Sequence, residues 1–303
     1  MKSRIELNEE KQIAIDEEEQ KEKNKKILKR ILKIVLILFI FITCFCLYTI
    51  HIATTSLIVK EDEIKSDKLP TDLNGLKIVQ FSDLHFQNKD LLEDVINNIN
   101  LRKPDLLFFT GDLLKEDEDL STENRTELLN ELKKLDTNAL KYAVLGETDN
   151  DVAKAILIDA GFEILDNQSK FIYTNSNERI SIIGINTNQD QKSIESFLNT
   201  YKESNQNTNY FTILLLHKPD YIDYVLPIIN VDLAFAGHSH LGELNLFGLY
   251  PVTKKDGATK YTRDFYQLEN TRFYISSGIG TDLYDFRLGA RPSITYLRVV
   301  KEV

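Results

Sequence analysis

The stretch Leu76–His85, LKIVQFSDLH, decides the class of fold. Its first part, Leu76–Phe81, is rich in apolar residues and predicts a buried strand. A carboxylate and an imidazole, Asp83 and His85, follow two residues apart where that strand ends, so both can point the same way. Because α/β sheets build their sites at the carboxyl ends of strands, the stretch predicts an α/β protein with a site at a sheet edge.

Alternating strands and helices continue on the C-terminal side of this stretch. The predicted strands are Asp105–Thr110, Tyr142–Leu145, Phe162–Leu165, Lys170–Thr174, Ile180–Ile185, Phe211–Leu216, Asp232–Ala236, Tyr261–Gln267, Arg272–Ser276 and Ser293–Val300. The predicted helices are Asp90–Asn100, Thr126–Leu135, Val152–Ala160 and Ser193–Thr200. Continuous apolar strands that alternate with helices imply sheets covered on their faces.

Four of the five histidines come directly after predicted buried strands: His85, His217, His238 and His240. Asp112 follows another strand, next to Gly111, which allows backbone and metal to approach closely. One such histidine would be read as a structural, hydrogen-bonded residue, but four at strand ends beside glycine or aspartate favour a metal site. Two or three acids and four imidazoles without thiolates form a mixed N/O ligand set that suits Mn, Fe, Zn or a similar divalent ion.

At these residues the chain resembles the calcineurin-like metallophosphoesterases, and most of all their exported or membrane-anchored bacterial phosphodiesterase branch. The family pattern is Asp-x-His, Gly-Asp, Gly-Asn-His-Asp or -Glu, a lone His, and Gly-His-x-His. Its counterparts are Asp83–His85, Gly111–Asp112, Gly146–Asp149, His217 and Gly237–His240. The resemblance covers roughly Leu69 to the end and implies a four-layer αββα sandwich with a dinuclear metal site at its rim.

The resemblance also implies a ligand set and a reaction. Metal one would be held by Asp83, His85, Asp112 and His240. Metal two would be held by Asp112, Glu147, His217 and His238, with Asp112 bridging. Two ions about 3.5–4 Å apart can hold a bridging hydroxide and clamp the phosphoryl oxygens for in-line displacement, here of a phosphodiester or phosphoanhydride.

The third block departs from the family pattern, since Glu147 replaces its Asn and Thr148 its His. Glu147 still offers an oxygen, but it makes the ligand shell more anionic, which favours cations and disfavours phosphate. Thr148 cannot act as the general acid, a role worth about 10²–10⁴-fold in rate. We therefore expect a preference for acidic leaving groups, such as phosphoanhydrides and aryl esters. Asp149, which would orient the family's His, is expected to bond Thr148 or the backbone.

A catalytically impaired pseudoenzyme is the alternative function: a metal-containing domain that binds a phosphorylated ligand or a protein partner.

Four further features have two interpretations each. Arg287 and Arg291 would be phosphate clamps or surface charges near a turn. Glu243 would support the site from behind or be merely polar. The stretch Leu244–Tyr250 would contact lipid or fold onto the core.

An apolar run near the N-terminus predicts a membrane anchor. No Asp, Glu, Lys or Arg interrupts residues 34–59, and residues 31–52 supply the roughly 20 mostly apolar residues that a spanning helix needs. Residues 21–33 hold seven basic residues and one acidic residue, which predicts a cytoplasmic N-terminus and an extracytoplasmic C-terminal part. A cleaved signal peptide is the rival interpretation, although no clean small-x-small site follows Ala53. A buried core helix is disfavoured because the run has no polar face.

The predicted organisation is a charged cytoplasmic tail at residues 1–30, a transmembrane helix at 31–52 and an extracytoplasmic metallophosphoesterase domain at 53–303. Thr54 opens a β-branched stretch that predicts an edge strand or tether.

The net charge of −10 disfavours a nucleic-acid partner, whose phosphates would be repelled. The expected partners are the membrane and a phosphorylated small molecule or lipid head group. Cys44 and Cys46, both in the apolar run, are the chain's two cysteines, which excludes a disulfide framework and a cysteine-rich zinc site.

Overall fold

The computed structural model describes residues 4–86, 88–115, 121–135, 138–206, 209–246, 250–251, 255–282 and 285–302. The chain forms two compact units, residues 1–49 and residues 50–303. Its helices are α1 (Arg4–Leu47), α2 (Ala53–Thr55), α3 (Lys89–Arg102), α4 (Thr122–Leu132), α5 (Asp151–Asp159), α6 (Gln191–Ser204) and α7 (Ile222–Val225). Its strands are β1 (Ile58–Ser66), β2 (Leu76–Phe81), β3 (Leu106–Thr110), β4 (Leu140–Val144), β5 (Glu163–Ile164), β6 (Gln168–Tyr173), β7 (Arg179–Gly184), β8 (Thr212–Leu215), β9 (Leu233–Ala236), β10 (Asn245–Leu246), β11 (Tyr250–Pro251), β12 (Phe265–Leu268), β13 (Thr271–Ile275) and β14 (Ser293–Lys301).

The first unit is the long helix α1. A π-helical turn, Tyr48–Ile52, and then α2 continue it into the second unit. Among the described residues, the helix Lys11–Thr55 is long and apolar enough to cross a membrane. Length and composition therefore make it a candidate membrane span.

The second unit is built on two six-stranded mixed sheets. The first sheet has the order β1-β14-β2-β3-β4-β5, in which β2, β3, β4 and β5 run parallel. The second has the order β12-β13-β9-β8-β7-β6, in which β13, β9, β8 and β7 run parallel. The stretch from Thr54 was expected to form an edge strand or tether. Its later part enters β1, an edge strand that pairs in parallel with β14, whereas Thr54 and Thr55 belong to α2.

Each sheet is buried on both faces. Successive residues of a strand point to opposite sides, so neighbouring residues pack against different layers. In the first sheet, Ile78 and Phe108 face the second sheet. Their neighbours Val79 and Phe109 face α3, α4 and α5. The second sheet is covered on its outer face by α6 and α7. The result is the four-layer αββα sandwich that the sequence predicted.

Helix α3 illustrates how the sequence fixes an outer layer. The Asn88 side chain accepts a hydrogen bond from the Leu91 amide (3.1 Å), which caps the helix. Leu92, Val95 and Ile99 then recur on one face and are fully buried against the sheet. The amphipathic period thus places the helix in the outer layer.

Several element boundaries differ from the prediction, and two of the differences have a clear local reason. Helix α4 begins four residues before the predicted Thr126, because the Ser121 side chain accepts from the Asn124 amide and caps the helix earlier. The predicted strand Tyr261–Gln267 is reduced to β12. The Tyr261 amide donates to the Asp220 carboxylate instead of a neighbouring strand.

Candidate metal centre

The seven predicted ligands come from both sheets and lie where parallel strands end. Asp83 and His85 follow β2, Asp112 follows β3 and Glu147 follows β4 in the first sheet. The remaining ligands follow β8 and β9 of the second sheet: His217, His238 and His240. Because the carboxyl ends of these strands meet at one rim, loops far apart in sequence contribute to one site.

The structure brings all seven side chains into two neighbouring groups. Cluster one consists of Asp83, His85 and His240, and cluster two of Asp112, Glu147, His217 and His238. Within each cluster, one potential ligand atom per residue lies within 4.8 Å of the others. The Oδ2 atom of Asp112 links the clusters, at 3.2 Å from His217 Nε2 and 3.7 Å from His85 Nε2. This is the position that a bridging carboxylate requires.

Each of the four imidazoles has a partner on the ring nitrogen that faces away from the site. In cluster two, His217 Nδ1 lies 2.7 Å from the Thr110 carbonyl, and His238 Nε2 lies 2.7 Å from the Asp256 carbonyl. Because a carbonyl oxygen accepts only, each of these nitrogens donates, and the opposite nitrogen is left as a lone-pair donor for a metal.

The same holds for cluster one. His85 Nδ1 lies 3.2 Å from the Leu114 carbonyl, and His240 Nδ1 lies 3.1 Å from Glu243 Oε1. The Nε2 atoms of His85 and His240 then face each other at 3.2 Å. Together with the Asp83 carboxylate, which lies 3.5 Å from His240 Nε2, these two nitrogens form a compact mixed N/O donor set. The donor set of cluster one therefore fits a divalent ion.

Cluster two passes the same test through its unpaired atoms. Asp112 Oδ2, His217 Nε2 and His238 Nδ1 are buried and have no hydrogen-bond partner among the described residues. Glu147 approaches both imidazoles to 2.8 Å, but the two nitrogens still lack hydrogen-bond geometry. Buried polar atoms are normally satisfied, so these inward-facing atoms fit a metal ligand set.

Thr148 and Asp149 hold the bridging Asp112 rather than face the site as acid and partner. The Thr148 amide and hydroxyl both lie within hydrogen-bond distance of Asp112 Oδ1, at 3.0 and 2.8 Å. This fixes the outer oxygen and leaves Oδ2 for the site. Asp149 accepts from the backbone amides of Asp112, Leu113 and Gly146. Of the two expectations for Asp149, the backbone is therefore the one the structure shows.

Five of the seven ligands have a backbone conformation that L-residues rarely adopt. Positive φ angles occur at Asp83 (51°), His85 (36°), Asp112 (60°), His238 (63°) and His240 (45°). Such conformations cost on the order of 1–3 kcal/mol each and persist where the surroundings enforce them. The concentration of strain at one rim is typical of a preorganised functional site.

Close packing around the ligands explains the glycines of the motif. At Gly111 (φ 95°), a Cβ atom would collide with the His217 ring and the Gly146 backbone. At Gly146, a Cβ atom would collide with the Asp112 carboxylate. Only glycine lets these backbones approach each other and bring Asp112 to His217.

The charges of the two clusters differ. Burial and the neighbouring His240 lower the pKa of His85 to about 4, so the His85 imidazole is neutral near neutral pH. Burial opposes the charge of His217, but the carboxylates of Asp112 and Glu147 raise its pKa well above the usual value. Burial likewise opposes the ionisation of Glu147, but His217 and His238 hold its pKa below the ordinary range.

The structure decides between the two interpretations of Glu243. This side chain is buried, and its Oε1 lies against His240 Nδ1 while it accepts from the Asp282 amide at 2.7 Å. Burial acts against its charge, but His240 lowers the pKa of Glu243 to about 2. Glu243 therefore supports cluster one from behind.

Both interpretations of Arg287 are wrong. Its side chain is fully buried and donates to the carbonyls of Ser277 and Ala290, so it is neither a surface charge nor an exposed clamp. Arg291 is half-buried and donates to the Ser56 carbonyl. In the stretch Leu244–Tyr250, the Asn245 amide donates to Leu288, which folds the described part onto the domain. Residues 247–249 lie outside the described residues.

Sequence reasoning missed a lysine at the same rim. Lys255 Nζ lies 2.6 Å from Asp282 Oδ2, and the Lys255 side chain is 16% exposed. The next carbonyl along the chain, that of Asp256, holds His238, and the Asp282 amide donates to Glu243. Burial opposes the charge of Lys255, but Asp282, and more weakly Asp83 and Asp112, raise its pKa. No motif signalled this residue, because the pair joins segments that are distant in sequence.

Comparison with known proteins identifies the family to which this rim belongs. The calcineurin-like phosphoesterase family profile matches residues 76–242, which include all seven ligands. The chain belongs to the calcineurin-like phosphoesterase family. It is 30% identical over 251 residues to the uncharacterized metallophosphoesterase YkuE of Bacillus subtilis, covering 78% of this chain and 82% of YkuE.

Two further relatives of this chain have lower sequence identity. YkoQ, an uncharacterized metallophosphoesterase of Bacillus subtilis, is 26% identical and covers 78% of this chain and 87% of its own length. A transmembrane protein with metallophosphoesterase domain from Danio rerio is 25% identical and covers 78% of this chain and 56% of its own length. All three relatives are thus named as metallophosphoesterases or as containing a metallophosphoesterase domain, and one of them is named as a transmembrane protein.

Proposed function

We propose that the protein is a membrane-anchored phosphoesterase that uses two metal ions to hydrolyse phosphodiesters or phosphoanhydrides with acidic leaving groups. The observation that carries this proposal is the pair of clusters joined through Asp112 Oδ2, an atom that is buried, like His217 Nε2 and His238 Nδ1, without a hydrogen-bond partner among the described residues. Two divalent ions of the Mn, Fe or Zn type held there would supply an activated water and neutralise the charge of the phosphoryl oxygens.

The protein's own residues would orient and bind. The carbonyls of Thr110, Leu114 and Asp256, together with Glu243, hold the imidazoles in one tautomer, so their lone pairs face the centre. This fixed orientation is what raises the affinity of a metal site.

Lys255 would meet the negative charge of the substrate. Asp83, Asp112 and Glu147 offset most of the positive charge of two divalent ions, which weakens the attraction of the loaded site for a phosphate. The ammonium of Lys255, held at the rim by Asp282, offers a compact positive charge beside the site. It would therefore bind a phosphoryl oxygen of the substrate.

The role of Thr148 favours acidic leaving groups. Its hydroxyl is directed at Asp112 Oδ1 and the Leu114 carbonyl, and it has no pKa near neutrality. An aryloxide or phosphate leaves without protonation, whereas an alkoxide does not. The absent general acid would cost an alkyl ester about 10²–10⁴-fold.

The test uses the full-length protein in detergent with Mn²⁺. Bis(4-nitrophenyl) phosphate should be hydrolysed at least about 10²-fold faster than a dialkyl phosphodiester. His238→Ala should abolish this activity, and His51→Ala, which changes a histidine outside the site, should not. Equal rates on aryl and alkyl substrates would contradict the leaving-group argument. Two bound ions without turnover on any substrate would favour the alternative, a metal-containing domain that binds a phosphorylated ligand or a protein partner.

The proposed topology has a cytoplasmic N-terminus and an extracytoplasmic phosphoesterase domain, in line with the basic cluster at residues 21–33. A cysteine placed at the exposed position Ser176 of a variant lacking Cys44 and Cys46 reports on it. A membrane-impermeant maleimide should label intact cells. Labelling that appears only after lysis would reverse the topology.

A further inference from the structure

A pocket with a partly apolar lining lies in the second unit beside cluster one. Its volume is about 280 Å³, and its apolar walls are formed by Ile50, Leu84, Leu91 and Ile279. At roughly 30 Å³ per water molecule it has room for about nine waters. The site described above uses none of these four side chains.

Three polar side chains of the lining, those of Thr54, Thr55 and Asn88, turn their hydrogen-bonding groups to the protein. The carboxylate of Asp285, which also lines the pocket, is exposed and lies 3.3 Å from Lys115 Nζ. The Thr54 and Thr55 hydroxyls donate to the carbonyls of Ile50 and His51, one helical turn earlier. The Asn88 carbonyl oxygen accepts from the Leu91 amide as the cap of α3. These internal bonds leave the threonine methyl groups and methylene groups facing the pocket, which makes it suited to an alkyl chain rather than a sugar or base.

The pocket and cluster one share a segment of backbone. Leu84 lines the pocket and stands between Asp83 and His85, two of the three members of cluster one. Ile279 and Gly280, which also line the pocket, donate their backbone amides to the Asp83 carbonyl at 3.0 and 2.8 Å. A molecule in the pocket would therefore contact Leu84, whose sequence neighbours on both sides would hold metal one.

The pocket is also lined by the end of the candidate membrane span. Ile50, Thr54 and Thr55 belong to the last residues of the apolar helix Lys11–Thr55. A spanning helix carries its terminal residues to the level of the lipid head groups. An alkyl chain that leaves the bilayer beside this helix would meet the pocket first and cluster one next.

We infer that the pocket binds an alkyl chain of a membrane lipid whose phosphoester is the substrate of the two-metal site. This inference rests on the proposed phosphoesterase function and narrows its substrate class to amphiphilic phosphoesters.

Chain length provides the first test. The full-length protein is assayed at fixed detergent concentration with 4-nitrophenyl alkyl phosphodiesters that carry methyl, butyl or octyl groups. The leaving group is the same in all three, so the alkyl group alone changes. The value of kcat/KM should rise with chain length, by up to about fourfold per methylene group buried. A flat series would overturn the inference while leaving the phosphoesterase proposal intact.

A pair of matched variants separates the pocket from the detergent. Thr54→Phe fills the pocket, and it should bring the octyl-to-methyl ratio of kcat/KM down towards one. Thr126→Phe is the control, since Thr126, like Thr54, is a helical threonine that donates to the carbonyl four residues earlier. Thr126 is exposed and does not line the pocket. The same loss of preference in both variants would contradict the inference.

Photo-crosslinking tests binding without turnover. The full-length protein is reconstituted in phosphatidylglycerol vesicles that contain a phospholipid with a diazirine on its acyl chain. Adducts should map to the peptides that contain Leu91 and Ile279, and Thr54→Phe should remove them. Adducts in these peptides from a protein without any turnover would sink the phosphoesterase proposal but keep the lipid site. Turnover of the methyl ester without such adducts would do the reverse.

Discussion

The two clusters of the candidate metal centre are both built from carboxylates and imidazoles, but their side chains are held in different ways. Cluster one is fully buried, and one of its histidines, His240, is oriented by a carboxylate, that of Glu243. In cluster two, both histidines are oriented by backbone carbonyls, and one ligand, Glu147, remains about one third exposed at its side chain. The departures from the family pattern, Glu147 and Thr148, both occur in or against cluster two. The difference is one of burial and support: cluster one is enclosed and backed by a carboxylate, whereas cluster two is partly open at Glu147.

Removing the residue shared by both clusters should have the largest effect. We expect Asp112→Asn to lower kcat/KM for bis(4-nitrophenyl) phosphate by about 10³-fold or more, because charge stabilisation by both ions depends on it. Steady-state kinetics together with metal analysis of the full-length protein measure this. Asp159→Asn, an exposed aspartate at the end of α5, is the control. A variant that loses one ion and keeps most of its activity would show that the clusters act separately.

The support behind cluster one should come next in size. Glu243→Gln removes the negative charge beside His240 Nδ1 and should reduce activity or metal affinity about 10–100-fold. The affinity should fall for one ion and not for the other, since Glu243 contacts cluster one alone among the described ligands. Isothermal titration of the metal-free protein with Mn²⁺ separates the two affinities. Equal weakening of both would mean that Glu243 stabilises the rim as a whole.

The pH dependence of metal binding should distinguish the clusters. The pKa of His85 is lowered to about 4, so cluster one has no proton to release there near pH 6–7. The pKa of His217 is raised, so a proton must leave cluster two before a metal binds. Affinity at cluster two should therefore rise by up to about tenfold per pH unit below that raised pKa. Affinity at cluster one should change less over the same range.

Titrations at several pH values check this, with His238→Ala to leave cluster one and His240→Ala to leave cluster two. Parallel pH profiles in the two variants would show that the clusters have the same protonation state.

The smallest effect is expected at Thr148. Thr148→Val removes the hydroxyl bond to Asp112 Oδ1 but keeps the backbone bond, so we expect a loss of about three- to tenfold in kcat/KM. Thr148→Ser retains the hydroxyl and should restore most of the activity. A valine variant as active as the wild type would mean that the amide alone holds Asp112.

The sequence was sufficient for the parts of this site that depend on local patterns. Each ligand follows a strand, and strands such as Leu76–Phe81 are marked by their own residues, so the rim could be located before the structure was known. The four-layer fold followed from the family resemblance. The extent of Glu243's contact with His240 could not be predicted, because the unusual backbone of the loop, with a positive φ at both residues, aims the two side chains at each other.

Contacts between segments that are distant in sequence could not be predicted. Lys255 meets Asp282 across 27 positions of chain, and no spacing rule connects them. Arg287 was read as an exposed residue because it lies in a glycine-flanked segment. Burial of its guanidinium requires the carbonyls of Ser277, Gly280 and Ala290 to converge on it, which the pattern of the segment does not reveal.

Metal-titrated turnover tests the central claim most directly. Metal-free full-length protein in detergent receives Mn²⁺ in steps from zero to three equivalents, and bis(4-nitrophenyl) phosphate hydrolysis is followed at each step alongside bound metal. If the two clusters form one site through Asp112, two ions bind per chain and turnover appears chiefly with the second. Full turnover with the first equivalent, or none after both have bound, would contradict a two-metal phosphoesterase.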